Sequence, residues 1–127
     1  MVYKHIVMWK FKEQHNGKSA LENARWMKEQ LEALVGVVPE LLSAEVGISP
    51  ALEQAAAVPS NAAAVQSNAA AAPAPAASGE YDACLLSTFA SPEALAAYKV
   101  HPKHKAISAY CKEARLKRLA FDWWSEE

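Results

Sequence analysis

The sequence predicts an α+β domain in which strands and helices follow the order β-α-β-β-α-β, the ferredoxin-like plait. Three observations predict it. A stretch rich in β-branched and aromatic residues, YKHIVMWKF (3–11), lies near the N-terminus. A helix-start signal at Ser19 then opens a stripe of apolar residues with helical spacing. Two further strand-like stretches, at 41–48 and 81–89, precede another helix-start signal at Ser91. Periodicity therefore alternates between strand and helix along the chain.

The first strand and the first helix have clear boundaries. The strand precedes the turn-prone sequence HNGKS, and Ser19 with Glu22 three residues later forms a capping box. The helix that follows carries apolar residues at spacings of four, three, four and three, namely Ala20, Ala24, Met27, Leu31 and Leu34. This spacing predicts an amphipathic helix packed on the sheet.

The second half of the chain repeats this alternation. The sequences LLSAEVGI and YDACLLSTF predict two strands, and SPEALAAY predicts a short helix with Ser91 as N-cap and Pro92 at its first position. HPKHKAISAYCKEA (101–114) predicts a further helix, and His101 is expected at its start because Pro102 disfavours the α conformation before it. LKRLAFDWW (116–124) predicts the closing strand.

Residues 51–79 form an Ala/Pro-rich insertion between the second and third predicted strands. Fourteen of these twenty-nine residues are alanine, and a tandem heptad, AAAVPSN followed by AAAVQSN, lies inside the segment. Alanine methyl groups bury too little area to offset the entropy of ordering, so we predict a mobile surface loop with at most transient helical turns. The rest of the 127 residues has the size of one domain.

Charge and composition exclude several classes of function. A net charge of −1 and a pI near 6.4 give no field that would attract nucleic acid or anionic lipid. Cys84 and Cys111 lie far apart, which favours free thiols in a reducing compartment. We see no signal-peptide pattern and no long apolar span. The expectation is a cytoplasmic protein that binds neither nucleic acid nor a membrane.

The predicted strands are apolar on both faces, and helices in a plait cover only one face. A second copy packed sheet to sheet would bury the other face and form a barrel. A monomer with a patchy apolar surface is the alternative. The residues predicted to form the homodimer interface are Ile6, Met8, Cys84, Leu86, Leu119, Phe121 and Trp123.

Four stretches carry a resemblance to a known family. YKHIVMWKFK, PELLSAEVGI, STFASPEALAAYKVHPKH and the terminal FDWW resemble the stress-responsive A/B barrel (dimeric α+β barrel, Dabb) proteins over nearly the whole chain outside the insertion. The resemblance implies a ferredoxin-like protomer and a homodimeric barrel. The family includes many proteins without assigned function, plant stress-associated proteins and a plant polyketide cyclase that makes olivetolic acid.

A cluster of His5, Tyr98 and His104 is the candidate site. Strand alternation places His5 on the face of Val7 and Trp9, and His104 begins the inward stripe of its helix, so the three side chains are expected to converge between sheet and helices. An imidazole can remove a proton beside a carbonyl, and a phenol can stabilise the enolate. The predicted pocket walls are Val7, Trp9, Met27, Leu31, Leu85 and Ile107.

The resemblance to the cyclase suggests His104 as general acid or base, Tyr98 as its partner and His5 as an orienting group. This sequence departs from the cyclase at Ala83, where the cyclase has histidine, and at Leu31, where it has tyrosine. A drier pocket is therefore expected, for a small hydrophobic carbonyl compound.

Three interpretations of the cluster stay open: cofactor-free catalysis of the lyase, cyclase, isomerase or monooxygenase type; ligand binding without chemistry; and a purely structural role. In the structural case the Tyr98 hydroxyl is expected to cap the next helix. We predict no cofactor. We also predict no metal site, because two histidines three residues apart, His101 and His104, have no second cluster of ligands.

Overall fold

The structure is a computed structural model and describes residues 1–57 and 79–126. The greater part of the predicted insertion 51–79, residues 58–78, lies outside the described residues. The strands are β1 (Val2–Phe11), β2 (Gln14–His15), β3 (Lys18–Ser19), β4 (Ser43–Ile48), β5 (Ala83–Phe89) and β6 (Arg115–Ser125). The helices are α1 (Ala20–Glu32), α2 (Pro50–Ala57), α3 (Pro92–Val100) and α4 (Pro102–Ala114).

Four strands form one antiparallel sheet in the order β4-β5-β1-β6. The long strand β1 lies in the centre and pairs with β5 on one side and β6 on the other. The βαβ unit of β1, α1 and β4 skips one position, because β5 lies between the two strands, and the second unit skips β1 in the same way. This topology confirms the predicted ferredoxin-like α+β plait.

Local signals fix the start of α1. Asn16 and Gly17 take positive φ values of 58° and 75° and make the two-residue turn between β2 and β3, as expected of an Asn-Gly hairpin. Ser19 accepts a hydrogen bond from the backbone N–H of Glu22, and the Glu22 carboxylate accepts one from the N–H of Ser19. The predicted capping box is therefore present, and the helix begins where the sequence indicates.

Helix α2 occupies a part of the chain that the sequence predicted to be a loop. Pro50 stands at its first position, and the Ser49 carbonyl accepts hydrogen bonds from the N–H groups of Leu52 and Glu53. Leu52 packs against the core. The structure thus places a short helix at residues 50–57, because a helix-start signal and one anchoring leucine lie just before the alanine-rich repeats.

The corner between α3 and α4 depends on His101. This residue has an extended backbone (φ −63°, ψ 133°), ends α3 and starts α4. Its Nδ1 accepts a hydrogen bond from the Lys103 N–H at 3.1 Å. The predicted role of His101 at the helix start is confirmed, and Ser91 and Pro92 start α3 as expected.

The two faces of the sheet differ in their exposure. Along β1 the residues His5, Val7, Trp9 and Phe11 are buried, while the intervening residues keep part of their surface exposed. The buried side, here the inner face, packs against the helices and holds the core. The opposite side is the outer face, where Phe121 remains 64% exposed in the isolated protomer.

Candidate functional site

A cavity of about 330 Å³ lies between α4 and the inner face of the sheet. Strands β1, β5 and β6 supply one wall, and α1, α3 and α4 supply the other. Its volume is at the lower end of the range of small-molecule sites. The lining residues are His5, Val7, Trp9, Leu31, Leu85, Lys99, His104, Ile107, Ser108, Cys111, Lys112, Arg115 and Arg118.

Five of the six predicted wall residues line this cavity, and Met27 does not. Val7, Trp9, Leu31, Leu85 and Ile107 border it. The Met27 side chain is fully buried within the core cluster. A stripe along a helix is wider than any one cavity, so residues on the same stripe can pack against the sheet without reaching the cavity.

His5 is fixed by a carboxylate from the neighbouring strand. The antiparallel register sets His5 opposite Asp122, and His5 Nδ1 lies 2.5 Å from Asp122 Oδ1. An ionised carboxylate only accepts hydrogen bonds, so Nδ1 carries the proton. In the neutral ring Nε2 then keeps its lone pair and is a base.

His104 is oriented in the same sense by the backbone. Its Nδ1 lies 3.2 Å from the carbonyl oxygen of Lys99, which can only accept, so Nδ1 donates and Nε2 carries the lone pair. The break at His101 between α3 and α4 brings this carbonyl next to the first turn of α4. In both of these imidazoles Nδ1 is therefore committed to a hydrogen bond, and Nε2 keeps its lone pair.

Both imidazoles have a lowered pKa. Burial lowers the pKa of His5 below 6.5, and the hydrogen bond and charge of Asp122 offset this shift only in part. Burial also lowers the pKa of His104. The hydrogen bond to the Lys99 carbonyl opposes this shift in part, and the charges of His5, Arg118 and Lys99 add to it. Both rings are thus neutral at pH 7 and ready to accept a proton.

Tyr98 lies behind His104 and does not line the cavity. The side chain is fully buried, with its ring centroid 4.4 Å from that of His104 and 5.1 Å from that of Phe89. Its hydroxyl has no hydrogen-bond partner among the described residues, so it does not cap the next helix as the structural interpretation expected. Burial raises the pKa of this phenol well above 10.

Sequence reasoning missed the charged part of the site. Lys99, Lys112, Arg115 and Arg118 line the cavity together with the histidines, and we call these four residues the cationic rim. Arg118 and Asp122 alternate with the apolar residues Leu119, Phe121 and Trp123 along the last strand, and that alternation was the available signal. Only the strand register shows that this side faces the cavity.

The cavity thiol is not a nucleophile at neutral pH. Burial raises the pKa of Cys111 to about 12, so the group is a neutral thiol. Cys84 lies on the outer face, and both cysteines are free. Among residues 1–57 and 79–126, no three His, Cys, Asp or Glu side chains come together as metal ligands would. No helix in these ranges is long and apolar enough to cross a membrane.

The residues predicted for a dimer interface lie on the outer face. Strand pairing sets Ile6 opposite Leu86 and Phe121, and Met8 opposite Cys84 and Leu119. Trp123 stacks on Phe121 with ring centroids 5.8 Å apart. Leu86, Leu119 and Phe121 are exposed, and the other four are partly buried. The outer face therefore carries one continuous apolar surface across three strands.

Solved structures of the same fold are distant in sequence. A dimeric protein of unknown function with a ferredoxin-like fold from Bacteroides fragilis matches at a TM-score of 0.70 and 21% identity, covering 98% of this chain and 96% of its own. A hydroxynitrile lyase from Passiflora edulis matches at a TM-score of 0.66 and 15% identity, covering 99% and 95%. A Dabb family protein with a ferredoxin-like fold from Mesorhizobium loti matches at a TM-score of 0.60 and 15% identity, covering 99% and 98%. These likenesses show the fold.

No protein of curated function matches the chain. A family model, the stress responsive A/B barrel domain (Dabb), matches residues 3–60 and 49–125. The two matches together span nearly all of the chain. They include both strands of the His5–Asp122 pair and the corner that holds His104. The protein therefore belongs to the stress-responsive A/B barrel domain family.

Proposed function

We propose that this protein is a homodimeric A/B barrel enzyme that binds a small hydrophobic carbonyl compound and converts it by proton transfer without a cofactor. One observation carries the proposal: His5, held through Nδ1 by Asp122 at 2.5 Å, borders a cavity with a neutral ring. Such a carboxylate–imidazole pair is the arrangement expected of an oriented general base.

The proposed step is removal of a proton from the carbon beside the carbonyl. Nε2 of His5 or His104 takes the proton, the C–H electron pair forms the enolate C=C bond, and the carbonyl π pair moves to oxygen. Asp122 then stabilises the imidazolium if His5 is the base. The imidazolium formed in this step returns its Nε2 proton to carbon or oxygen, so atoms and charge balance without any redox partner.

Tyr98 enters this scheme as the donor for the enolate oxygen. A buried hydroxyl without a partner costs about 1–3 kcal/mol, so its presence in the core calls for an explanation. A ligand oxygen that reaches past His104 would supply the missing acceptor. Because the hydroxyl lies outside the cavity lining, this role requires a change in the His104 side chain on binding.

Two observations support the proposed homodimer: the apolar outer face and the dimeric proteins of the same fold. The matched proteins from Bacteroides fragilis, Thermobifida fusca and Jannaschia are described as dimeric. Fully burying one large apolar side chain contributes about 1.5–3 kcal/mol, so the outer-face residues of two protomers supply enough for stable association. A second copy of the chain is the partner that fits this surface.

The alternative is a ligand-binding protein without catalysis. The absence of Tyr98 from the cavity lining favours it, because the enolate then lacks its donor. A matching fold in the Passiflora edulis hydroxynitrile lyase supports the enzyme instead, since it is an enzyme on the same scaffold.

Deuterium exchange separates these two functions. Phenylacetone is incubated with the protein in deuterated buffer, and loss of the α-proton signal is followed by NMR. A general base contributes about 10²- to 10⁴-fold, so His5→Gln and His104→Gln are expected to slow the exchange by such factors. His15→Gln is the matched control, because His15 lies in the β2–β3 hairpin, away from the cavity lining.

A wild-type rate equal to that of His5→Gln and His104→Gln would contradict the proton-transfer function. If phenylacetone also raises the melting temperature of the wild type, binding without catalysis is the remaining function. If it does neither, the cavity does not take carbonyl compounds of this size.

A further inference from the structure

The cationic rim places four positive side chains on a cavity whose lining contains no carboxylate among the described residues. Asp122 stands behind His5 and is engaged by its imidazole. Lys99, Lys112, Arg115 and Arg118 have no ion pair or side-chain hydrogen bond within residues 1–57 and 79–126. The field inside the cavity is therefore positive.

The positive charges of the rim repel one another. The pKa of Arg118 is lowered, first by burial and then by the charge of Arg115, while Asp122 opposes the shift. The guanidinium groups of Arg115 and Arg118 repel each other, and an anion bound between them would offset this repulsion. Some cations outside the cavity are paired within the described residues: Lys28 bonds Glu32 at 2.7 Å and Lys117 bonds Glu80 at 3.0 Å.

The cavity also has an apolar part. Val7 and Trp9 of β1, Leu85 of β5, Leu31 of α1 and Ile107 of α4 form its walls. With a volume of about 330 Å³, there is space for one ring or short chain rather than a large cofactor. The cavity thus joins an apolar chamber to a positive rim.

We propose that the ligand is a small amphipathic carboxylate, with its carboxylate held by Arg115 and Arg118 and its apolar part against Val7, Trp9 and Leu85. This inference rests on the proposed function and names its substrate class. Arg118 lies close enough to act electrostatically on both His5 and His104. A carboxylate held there brings the adjoining carbon chain to the imidazoles, so the carbonyl compound is an apolar oxo acid.

A carboxylate fits better than a more highly charged group. Guanidinium groups bind carboxylates through two parallel hydrogen bonds, which orients the ligand as well as attracting it. The charge of Asp122 acts on Arg118 and offsets part of the positive charge, which disfavours a dianion. The apolar chamber demands a ligand that is mostly hydrocarbon.

Binding of an anion has a second consequence for the histidines. Lys99 and Arg118 lower the pKa of both rings, and a carboxylate that neutralises this charge raises them again. The complex should therefore take up protons on binding at a pH below 6.5, where the two rings begin to titrate. A neutral ligand in the same cavity lacks this effect.

Calorimetry with a matched pair of probes tests the inference. The carboxylate 3-phenylpropanoate and its neutral analogue 3-phenylpropanamide have the same apolar part and nearly the same size. Each is titrated into the wild type, into an Arg115→Gln/Arg118→Gln variant and into Arg25→Gln. Arg25 carries the same charge on an exposed part of α1 outside the cavity lining. Repeating each titration in two buffers of different ionisation enthalpy measures the proton uptake.

The carboxylate is expected to bind the wild type about 10- to 100-fold more tightly than the amide, as charge-assisted hydrogen bonds imply. The double variant should lose this preference, and Arg25→Gln should keep it. The preference should also weaken toward 1 M ionic strength, where the Debye length falls to about 3 Å.

Equal affinities for the two probes overturn the carboxylate assignment and leave a cavity that binds apolar compounds. An unchanged preference in the double variant also overturns it. Failure of both probes to bind the wild type removes the proposed cavity function together with this inference. If 3-phenylpropanoate binds through Arg115 and Arg118, but the oxo acid phenylpyruvate shows no deuterium exchange above that of the His5→Gln and His104→Gln variants, catalysis alone is removed.

Discussion

The inner and outer faces of the sheet are both apolar, but they differ in what covers them. Phe89 on the inner face is fully buried against Tyr98, whereas Phe121 on the outer face is 64% exposed. The inner face pairs its apolar residues with the helices of the same chain and borders the cavity. The outer face has no such cover among the described residues. An apolar surface alone therefore does not distinguish a core from an interface; the identity of the element that packs on it does.

The largest expected effect is a difference in the free energy of unfolding between alanine variants of these two phenylalanines. Phe89→Ala should lower the free energy of unfolding by about 3–5 kcal/mol, because it leaves a void in a packed core. Phe121→Ala, measured at a protein concentration where protomers are dissociated, should lower it by less than about 1 kcal/mol. Urea denaturation measures both. Equal losses in the two variants would mean that the outer face is covered within the protomer.

A charge on the outer face should act on association instead. Leu119→Glu is expected to weaken the homodimer by about 100-fold or more, because it forces a carboxylate into an apolar interface. Sedimentation velocity over a concentration series measures the dissociation constant. Val100→Glu is the control, since Val100 is 66% exposed at the end of α3 and lies off the sheet. A wild-type protein that sediments as a monomer at micromolar concentration contradicts the proposed dimer.

At the cavity the two histidines predict a pH dependence of stability. His5 and His104 have a lowered pKa in the folded protein, so the unfolded chain binds more protons as the pH falls through 6.5. Stability should therefore decrease from pH 7.5 to pH 5, by at most about 1.4 kcal/mol per pH unit for each histidine. Glu32 also has a lowered pKa, but its contribution is lost only below 4.5, outside this window.

Urea denaturation at several pH values measures the slope. His104→Gln should make it shallower, and so should His5→Gln. A slope that is the same in all three proteins would mean that His104 titrates alike in the folded and unfolded states.

The smallest expected effect concerns the Tyr98 hydroxyl. Tyr98→Phe removes a buried hydroxyl that has no partner among the described residues, so stability should stay the same or increase by about 1 kcal/mol. A melting curve detects this change. The same variant should lose turnover if Tyr98 is the donor for the enolate. A loss of more than 1 kcal/mol would show instead that the hydroxyl makes a stabilising bond.

Sequence patterns predicted the elements of the fold well because each depends on nearby residues. The capping box of Ser19 and Glu22, the Asn-Gly turn, and the break at His101 before Pro102 are all local arrangements. The start of α2 was missed although Ser49 and Pro50 carry a local signal. The composition of the alanine-rich repeats that follow predicted a loop for the whole segment, including its first residues.

The site was predicted only in part, because its geometry depends on residues far apart in the chain. Alternation placed His5 on the inner face and the helix stripe brought His104 near it. The partner of His5 is Asp122, which is separated from it by 117 positions and reaches it through the β1–β6 register. No local sequence pattern relates two residues so far apart in the chain.

The sequence by itself determined the plait, the corner that carries His104 and the presence of two apolar sheet faces, because periodicity and capping act over a few residues. Only the tertiary structure decided which residues share the cavity. Met27 and Tyr98 lie behind the lining, whereas Arg115 and Arg118 belong to it. Packing and strand register decide this, and both depend on the whole chain at once.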